Sequence, residues 1–329
     1  MSKTALVFGS TGQDGSYITE ELLKFNFNVY GVSRKDTSYL CDNSQYIHVK
    51  SDITNYKFVS ELIKKIRPDE IYNFAGITTL SEAQRNKDKT LAANYFSLKN
   101  IIKSATDINS KVKILQASSS EVFSMSNKKI NEESERTLSS DNFYAYSKNL
   151  SDQLIQEYRS KGFFCNSAIL FNHESPRRGE ASVLGKITSS MVRIKFGYQS
   201  TLWIGNLYTS RDWGYAGDYV NGIRKMMKNK KPDDYIFASG KKNSLLAAFN
   251  FCEEYLNMKI NWEGDGINKV GLNDKGDKII ITNPSLQKSN RSGLVGDSSK
   301  AMSSLGWKKN IDFFDLLKIL LDHYYQKYK

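Results

Sequence analysis

The sequence predicts an α/β protein built on a doubly wound parallel sheet. Short apolar runs suited to strands alternate with amphipathic stretches suited to helices through the first half of the chain, and a glycine-rich turn joins the first run to the first helix. Strands joined through helices pair in parallel, and the helices then cover both faces of the sheet. Thr4–Phe8 is the first strand, followed by the turn and an amphipathic helix over Ser16–Lys24. Further strands are expected at Val29–Val32, Ile47–Val49, Ile71–Phe74, Ile114–Ala117 and Ala168–Phe171, with helices at Lys57–Ile66, Leu91–Ala105 and Ala145–Lys161. From about Asn172 the rhythm becomes irregular and more polar, which points to a smaller C-terminal region adding a binding surface. Ile311–Tyr325 carries apolar residues at helical spacing and is expected to pack as a closing helix. The division expected is 1–171, rejoined by 214–240, and 172–329.

The 329 residues include 47 Lys and Arg against 35 Asp and Glu, a net charge of +12, with 40% hydrophobic and 12% aromatic residues. Such a chain can bury a sizeable core and is neither disordered nor collagenous. The cations are scattered, the densest run being Lys228-Asn229-Lys230-Lys231, and no helix-turn-helix, zinc-finger or RNP-type pattern is present. A solvated lysine-rich surface is expected rather than nucleic-acid binding, and small phosphorylated ligands are compatible with it. Apolar runs fall far short of the roughly 20 residues that cross a bilayer, and the opening MSKTALVFGS lacks a leader pattern. The expectation is a cytoplasmic protein without membrane contact. Cys41, Cys165 and Cys252 have no CxxC spacing, so they read as buried thiols, with no disulfide scaffold or metal site.

Gly9-Ser10-Thr11-Gly12-Gln13-Asp14-Gly15 stands between the first strand and the first helix. Glycines there allow a sharp turn and a close approach to a pyrophosphate, whose charge meets the free N–H groups of the helix N-terminus. This is the dinucleotide position of a Rossmann sheet. After the second strand, Ser33-Arg34-Lys35 replaces the acidic residue that would hold a ribose 2′-hydroxyl, and two cations there favour NADP over NAD. Asp52-Ile53 follows the third strand, where it either meets the adenine or caps the next helix.

Tyr144 and Lys148 lie four residues apart, on one face of a helix. An adjacent ammonium is expected to lower the tyrosine pKa and make the phenol a usable acid and base. Ser118-Ser119-Ser120-Glu121 follows a strand at the carboxyl edge of the sheet. Those serines either bond a substrate hydroxyl or begin a helix with Ser119 as cap and Glu121 in its first turn.

Together these motifs resemble the extended short-chain dehydrogenase/reductases that act on nucleotide sugars. More specifically, the ten residues from Phe171 to Glu180 (FNHESPRRGE) resemble the signature of GDP-mannose 4,6-dehydratases without a gap, and Gly9 to Tyr17 is similar to that family's opening turn. Gly205-Asn206-Leu207, Arg211-Asp212-Trp213-Gly214, Asp218-Tyr219-Val220, Gly296-Asp297, Lys300-Ala301 and Leu305-Gly306-Trp307 extend the resemblance over essentially the whole chain.

The resemblance implies a Rossmann domain followed by a nucleotide-sugar-binding region. It implies that Ser119, Glu121, Tyr144 and Lys148 are catalytic. Tyr144 would take the C4 hydroxyl proton as NADP accepts the hydride; Glu121 would then remove the C5 proton and assist loss of the C6 hydroxyl before hydride returns to C6. Epimerases of the superfamily lack the carboxylate at the Glu121 position. The resemblance also implies cofactor contacts from His173, Arg178 and the loop containing Phe74, Ala75, Gly76 and Thr78. Substrate contacts are implied for Thr78, Ser120, Asn172, Lys186 and Arg211. Lys89 stands where the family commonly has tyrosine and inherits no role.

The family's Arg-Pro-x-Glu element is absent around Pro284 to Ser292, where Lys288 or Arg291 is the candidate substitute; Arg291 is taken as substrate-binding. Ser124 replaces a glycine, and Ser119 lacks a threonine methyl. Arg34 to Ser38 is similar to a loop that reaches a neighbouring subunit in family tetramers, but the following stretch is short, so a homodimer is expected before a tetramer. The expected reaction is dehydration of GDP-mannose to GDP-4-keto-6-deoxymannose. Alternatives are a dehydratase of a GDP-heptose or GDP-N-acetylhexosamine, an epimerase or reductase, or a catalytically silent nucleotide-sugar binder.

Overall fold

The computed structural model describes residues 2–35, 42–126, 128–286 and 293–329. The chain begins with β1 (Thr4–Phe8), α1 (Gln13–Lys24), β2 (Asn28–Ser33), β3 (Tyr46–Lys50), α2 (Tyr56–Ile66) and β4 (Glu70–Asn73). Next come α3 (Leu80–Arg85), α4 (Lys87–Leu91), α5 (Ser97–Thr106), β5 (Lys113–Ser119), α6 (Phe143–Ser160) and β6 (Phe164–Leu170). The remainder contains β7 (Asn172–Glu174), α7 (Val183–Lys195), β8 (Leu202–Ile204), β9 (Ser210–Tyr215), α8 (Ala216–Lys228), β10 (Asp234–Phe237), β11 (Lys242–Ser244) and α9 (Leu245–Leu256). It closes with β12 (Asn261–Glu263), β13 (Val270–Leu272), β14 (Lys278–Thr282), α10 (Ser299–Leu305) and α11 (Phe313–Tyr328).

A seven-stranded sheet in the order β10-β6-β5-β4-β1-β2-β3 forms the centre, and every pairing within it is parallel. Apolar residues of α1 and α8, including Ile18, Leu22, Ile223 and Met226, bury one face. Residues of α2, α5 and α6, including Val59, Ile63, Ile101 and Leu154, bury the other. Burial at roughly 25 cal/mol per Å² on both faces is what holds such a sheet. All six expected strands are present, and the doubly wound arrangement follows from their alternation with helices.

Two expectations need correction. Leu91–Ala105 is not one helix: a π-helical turn at Ala92–Phe96 separates α4 from α5. The turn presents buried Asn94, whose Oδ1 accepts the Ile77 N–H at 2.8 Å and whose Nδ2 donates to the Ile77 carbonyl and to Ser147 Oγ. A tertiary polar contact thus sets a local irregularity that apolar spacing does not announce. Nor is the chain beyond Asn172 poor in regular structure. Beside α7, α8 and α9 it forms a β11-β9-β7 sheet and a β12-β13-β14-β8 sheet. Several of these strands span only three residues, and α7 buries Thr188, Ser189 and Ser190 along with Leu184, Ile187 and Met191, so neither period stands out in the sequence.

Cys165 and Cys252 are buried thiols, as expected, and burial pushes both up to about 12; Cys41 lies outside the described residues. No helix among the described residues is long and apolar enough to cross a membrane.

Candidate active site

The glycine turn lies at the carboxyl end of β1, in the middle of the sheet. Gly9 has φ +80°, and a Cβ at Gly15 would sit 2.1 Å from the Gly9 carbonyl oxygen, so side chains are excluded where the turn folds on itself. Gly12 begins α1 and no side chain caps that helix end. The N–H groups and positive dipole end of α1 therefore suit a pyrophosphate. Asp14, in the first turn of α1, accepts from His173 Nε2 at 2.9 Å, while His173 Nδ1 donates to the Phe171 carbonyl at 2.7 Å. Both ring nitrogens face acceptors, which requires the imidazolium form. Burial works against that charge, but Asp14 outweighs it and the His173 pKa is raised. Arg178 donates to the His173 carbonyl at 2.9 Å, and Ser175 donates to Gln13 Oε1 at 2.8 Å. His173 and Ser175 thus fasten the segment around β7 to the glycine turn, and Arg178 braces that segment from within.

At the other end of the turn, Arg34 and Lys35 are exposed beyond β2. Asp52 is exposed and accepts both the N–H and the hydroxyl of Thr54. It is not the helix cap: Asn55 accepts the Phe58 N–H and caps α2. Ile53 is buried against Phe8 and Val32. Phe74, Ala75 and Gly76 follow β4 beside the glycine turn, where the Phe74 N–H bonds the Phe8 carbonyl, and Thr78 is exposed after them.

The serine-rich strand end serves both roles considered for it. Ser119 caps the short 3₁₀ turn Ser120–Val122 by accepting the Glu121 N–H, and its hydroxyl works to lower the Tyr144 pKa. Tyr144 is only 8% exposed. Burial pushes its phenol up to about 12 despite that opposing effect of Ser119. The expected lowering by Lys148 is therefore not realised. Lys148, 4% exposed, donates to the Ala117 carbonyl at 2.8 Å, and burial pushes it down to about 8. Removing two ionisable groups from water disfavours phenolate and ammonium alike. Asp152, one turn beyond Lys148, accepts from Ser118 and Arg136, both at 2.6 Å, and ties α6 to β5.

Glu121 accepts from Asn142 Nδ2 at 3.0 Å and lines a cleft with Ser120, Asn172, Arg211, Phe171 and Leu294. A carboxylate, a guanidinium and polar side chains from the turn after β5 and from β7 and β9 converge there, and the Glu121 charge acts on the Tyr144 phenol.

Comparison with known proteins decides the family. The family model described as GDP-mannose 4,6 dehydratase matches residues 6–320. The chain is 35% identical to GDP-mannose 4,6 dehydratase 2 of Arabidopsis thaliana, with 97% of this chain and 86% of the relative covered. The chain belongs to the GDP-mannose 4,6-dehydratase family. Identity is 31% to the enzyme of Cricetulus griseus, over 96% of this chain and 90% of that one, and 29% to that of Vibrio cholerae, over 94% and 91%. The fold is also that of RMD from Pseudomonas aeruginosa complexed with NADPH, at TM-score 0.78, 18% identity and 99% coverage of both chains. A dTDP-glucose 4,6-dehydratase from Bacillus anthracis in complex with NAD gives TM-score 0.79 and 16% identity, covering 99% of this chain and 97% of its own.

Within this GDP-mannose 4,6-dehydratase family member the expected substrate residues are not all together. Ser120, Asn172 and Arg211 share the Glu121 cleft. Lys186 does not line it; its ammonium donates to the Trp203 carbonyl at 2.8 Å. Arg291 and Lys288 lie outside the described residues. Sequence reasoning missed Asn142 and Gln84. Gln84 Oε1 accepts the Phe143 N–H at 3.1 Å, and Asn142 accepts the Ala145 N–H, so both hold the start of α6. Asn142 carries a readable signal, an Asx residue directly before a helix; Gln84 carries none.

Proposed function

We propose that NADP binds on the glycine turn, and that Ser119, Glu121, Tyr144 and Lys148 carry the family's hydro-lyase reaction, dehydration of GDP-mannose to GDP-4-keto-6-deoxymannose. The observation that supports this most is the convergence of Glu121, Arg211 and Asn172 on one cleft, with the Glu121 charge acting on the buried Tyr144 phenol. A nicotinamide coenzyme fits the turn because glycine is sterically required there and the α1 terminus is uncapped; Arg34 and Lys35 favour its 2′-phosphorylated form. When bound, it supplies a hydride acceptor at C4 and a donor at C6, with no net redox change.

The chain's own groups move the protons. Tyr144 takes the C4 hydroxyl proton, and the Lys148 ammonium one helical turn away, whose pKa burial lowers to about 8, offsets the resulting phenolate charge. The C4 ketone acidifies C5–H. Glu121 removes that proton and delivers one to the departing C6 oxygen, which leaves as water. Arg211 offers the sugar-nucleotide diphosphate charge-assisted hydrogen bonds. Residues 1–171 with 214–240 hold the coenzyme in this reading and 172–329 mainly the nucleotide sugar; to it belong a cytoplasmic location, expected from the apolar runs and the opening residues, and a homodimer, expected because the stretch after Arg34–Ser38 is shorter than in family tetramers.

Incubation with GDP-mannose, read by mass spectrometry, should give a nucleotide sugar lighter by one water. Unchanged GDP-mannose in the presence of bound coenzyme would overturn the reading.

A further inference from the structure

The edge strand β3 carries two side chains that no part of the reaction uses. The Tyr46 hydroxyl lies 3.3 Å from Ser10 Oγ in the glycine turn and 3.2 Å from His48 Nδ1, and His48 Nε2 lies 2.9 Å from the Lys35 carbonyl oxygen. A carbonyl only accepts, so Nε2 carries a proton and donates. An unbroken chain of polar atoms therefore runs from Ser10, at the pyrophosphate end of the coenzyme site, to the Arg34–Lys35 turn at its ribose end.

Three further observations show that this chain is built in. Tyr46 is buried, at 5% exposure. Gly31 of β2, paired with His48, leaves room for it, since a Cβ there would fall 2.3 Å from the Tyr46 hydroxyl and 2.7 Å from Ser10 Oγ. The Lys35 N–H is held as well, donating to Ser33 Oγ at 3.2 Å. The backbone of Lys35 is thus fixed on its amide side by Ser33 and on its carbonyl side by His48, although it lies past the end of β2.

We infer that His48, backed by Tyr46, is a coenzyme-specificity residue. By holding the Lys35 carbonyl it sets the Arg34–Lys35 turn in place to receive a ribose 2′-phosphomonoester at a fixed distance from the pyrophosphate turn. Its action is one of positioning, through the backbone of a turn whose side chains bear the charge. The inference rests on the NADP reading above and deepens it. A turn already in place binds its anion without the ordering cost that a free loop incurs.

Calorimetric titration of the full-length protein with NADP⁺ and with NAD⁺ tests it without reference to turnover. His48→Phe should weaken NADP⁺ binding about tenfold, the scale of one lost hydrogen bond of this kind, and leave NAD⁺ within about twofold. His48→Gln, whose amide N–H can reach the same carbonyl, should restore most of the NADP⁺ affinity. Tyr46→Phe should give an intermediate loss. Equal weakening of both dinucleotides, or none, would overturn the inference. Wild-type protein binding NAD⁺ as tightly as NADP⁺ would instead overturn the coenzyme reading beneath it.

Discussion

Asn142 joins Glu121 to the helix that carries Tyr144. Its Nδ2 donates to Glu121 Oε2 at 3.0 Å while its Oδ1 accepts the N–H of Ala145 at 3.1 Å. One amide thereby holds the carboxylate that would work at C5 and caps the helix whose phenol would work at C4. Asn142→Ser preserves the cap and removes the donor to Glu121. Solvent deuterium entry at C5 should slow several-fold more than C4 oxidation, with a melting temperature close to wild type. Equal slowing of both steps would show that Asn142 acts only through the fold.

Glu121→Gln removes the base while keeping an amide of the same shape. Dehydration should fall by about 10²-fold or more, the usual scale for a general base, and deuterium should no longer enter C5. Full turnover by this variant would place the base elsewhere in the cleft.

Lys148 offers a trade between stability and activity. Burial lowers its pKa from 10.5 to about 8, so between those values the unfolded chain binds more protons than the folded one, and stability rises with pH. At neutral pH the buried ammonium costs stability, partly offset by its bond to the Ala117 carbonyl. Lys148→Met should therefore be inactive yet more stable by ~1–2 kcal/mol at pH 7, a gain that shrinks towards pH 10. Chemical denaturation at both pH values measures this, and a destabilised variant at pH 7 would contradict it.

The Asp14–His173 pair should give a pH-dependent lock on the glycine turn. The raised His173 pKa makes its contribution full below the unfolded histidine value of 6.5 and lost as pH rises through the higher folded value. The lowered Asp14 pKa, for which His173, Arg178 and Gln13 together outweigh the opposing effect of burial, makes its share full above the unfolded value of 3.8 and lost as pH falls through the lower folded value. The pair is thus complete between about pH 3.8 and 6.5. NMR titration of the coenzyme-free protein should find His173 ionising above an ordinary histidine; ionisation below 6.5 would refute the pairing.

The sheet was legible because its signals are local. Alternating apolar runs and the Gly9–Gly15 turn need no knowledge of distant residues, and β1 falls at Thr4–Phe8 as its composition indicates. The π-helical turn at Asn94 and the short strands after β7 were not legible, since the first answers a contact with Ile77 and Ser147 and the others obtain their order from neighbouring strands. Tyr144 and Lys148 were singled out as candidates by type and spacing, and Glu121 through the family resemblance. Their electrostatics were not legible: spacing suggested a lowered tyrosine, whereas burial raises it.

By itself the sequence determined the class of fold, the dinucleotide turn and the kinds of side chain brought to the site, because each is written within a few neighbouring residues. Only the tertiary structure decided that Asn142 holds Glu121, that His173 locks Asp14 and that Lys186 turns to the Trp203 carbonyl rather than to the cleft. Those outcomes depend on which polar groups lose water together, and that is settled between segments as much as 159 residues apart.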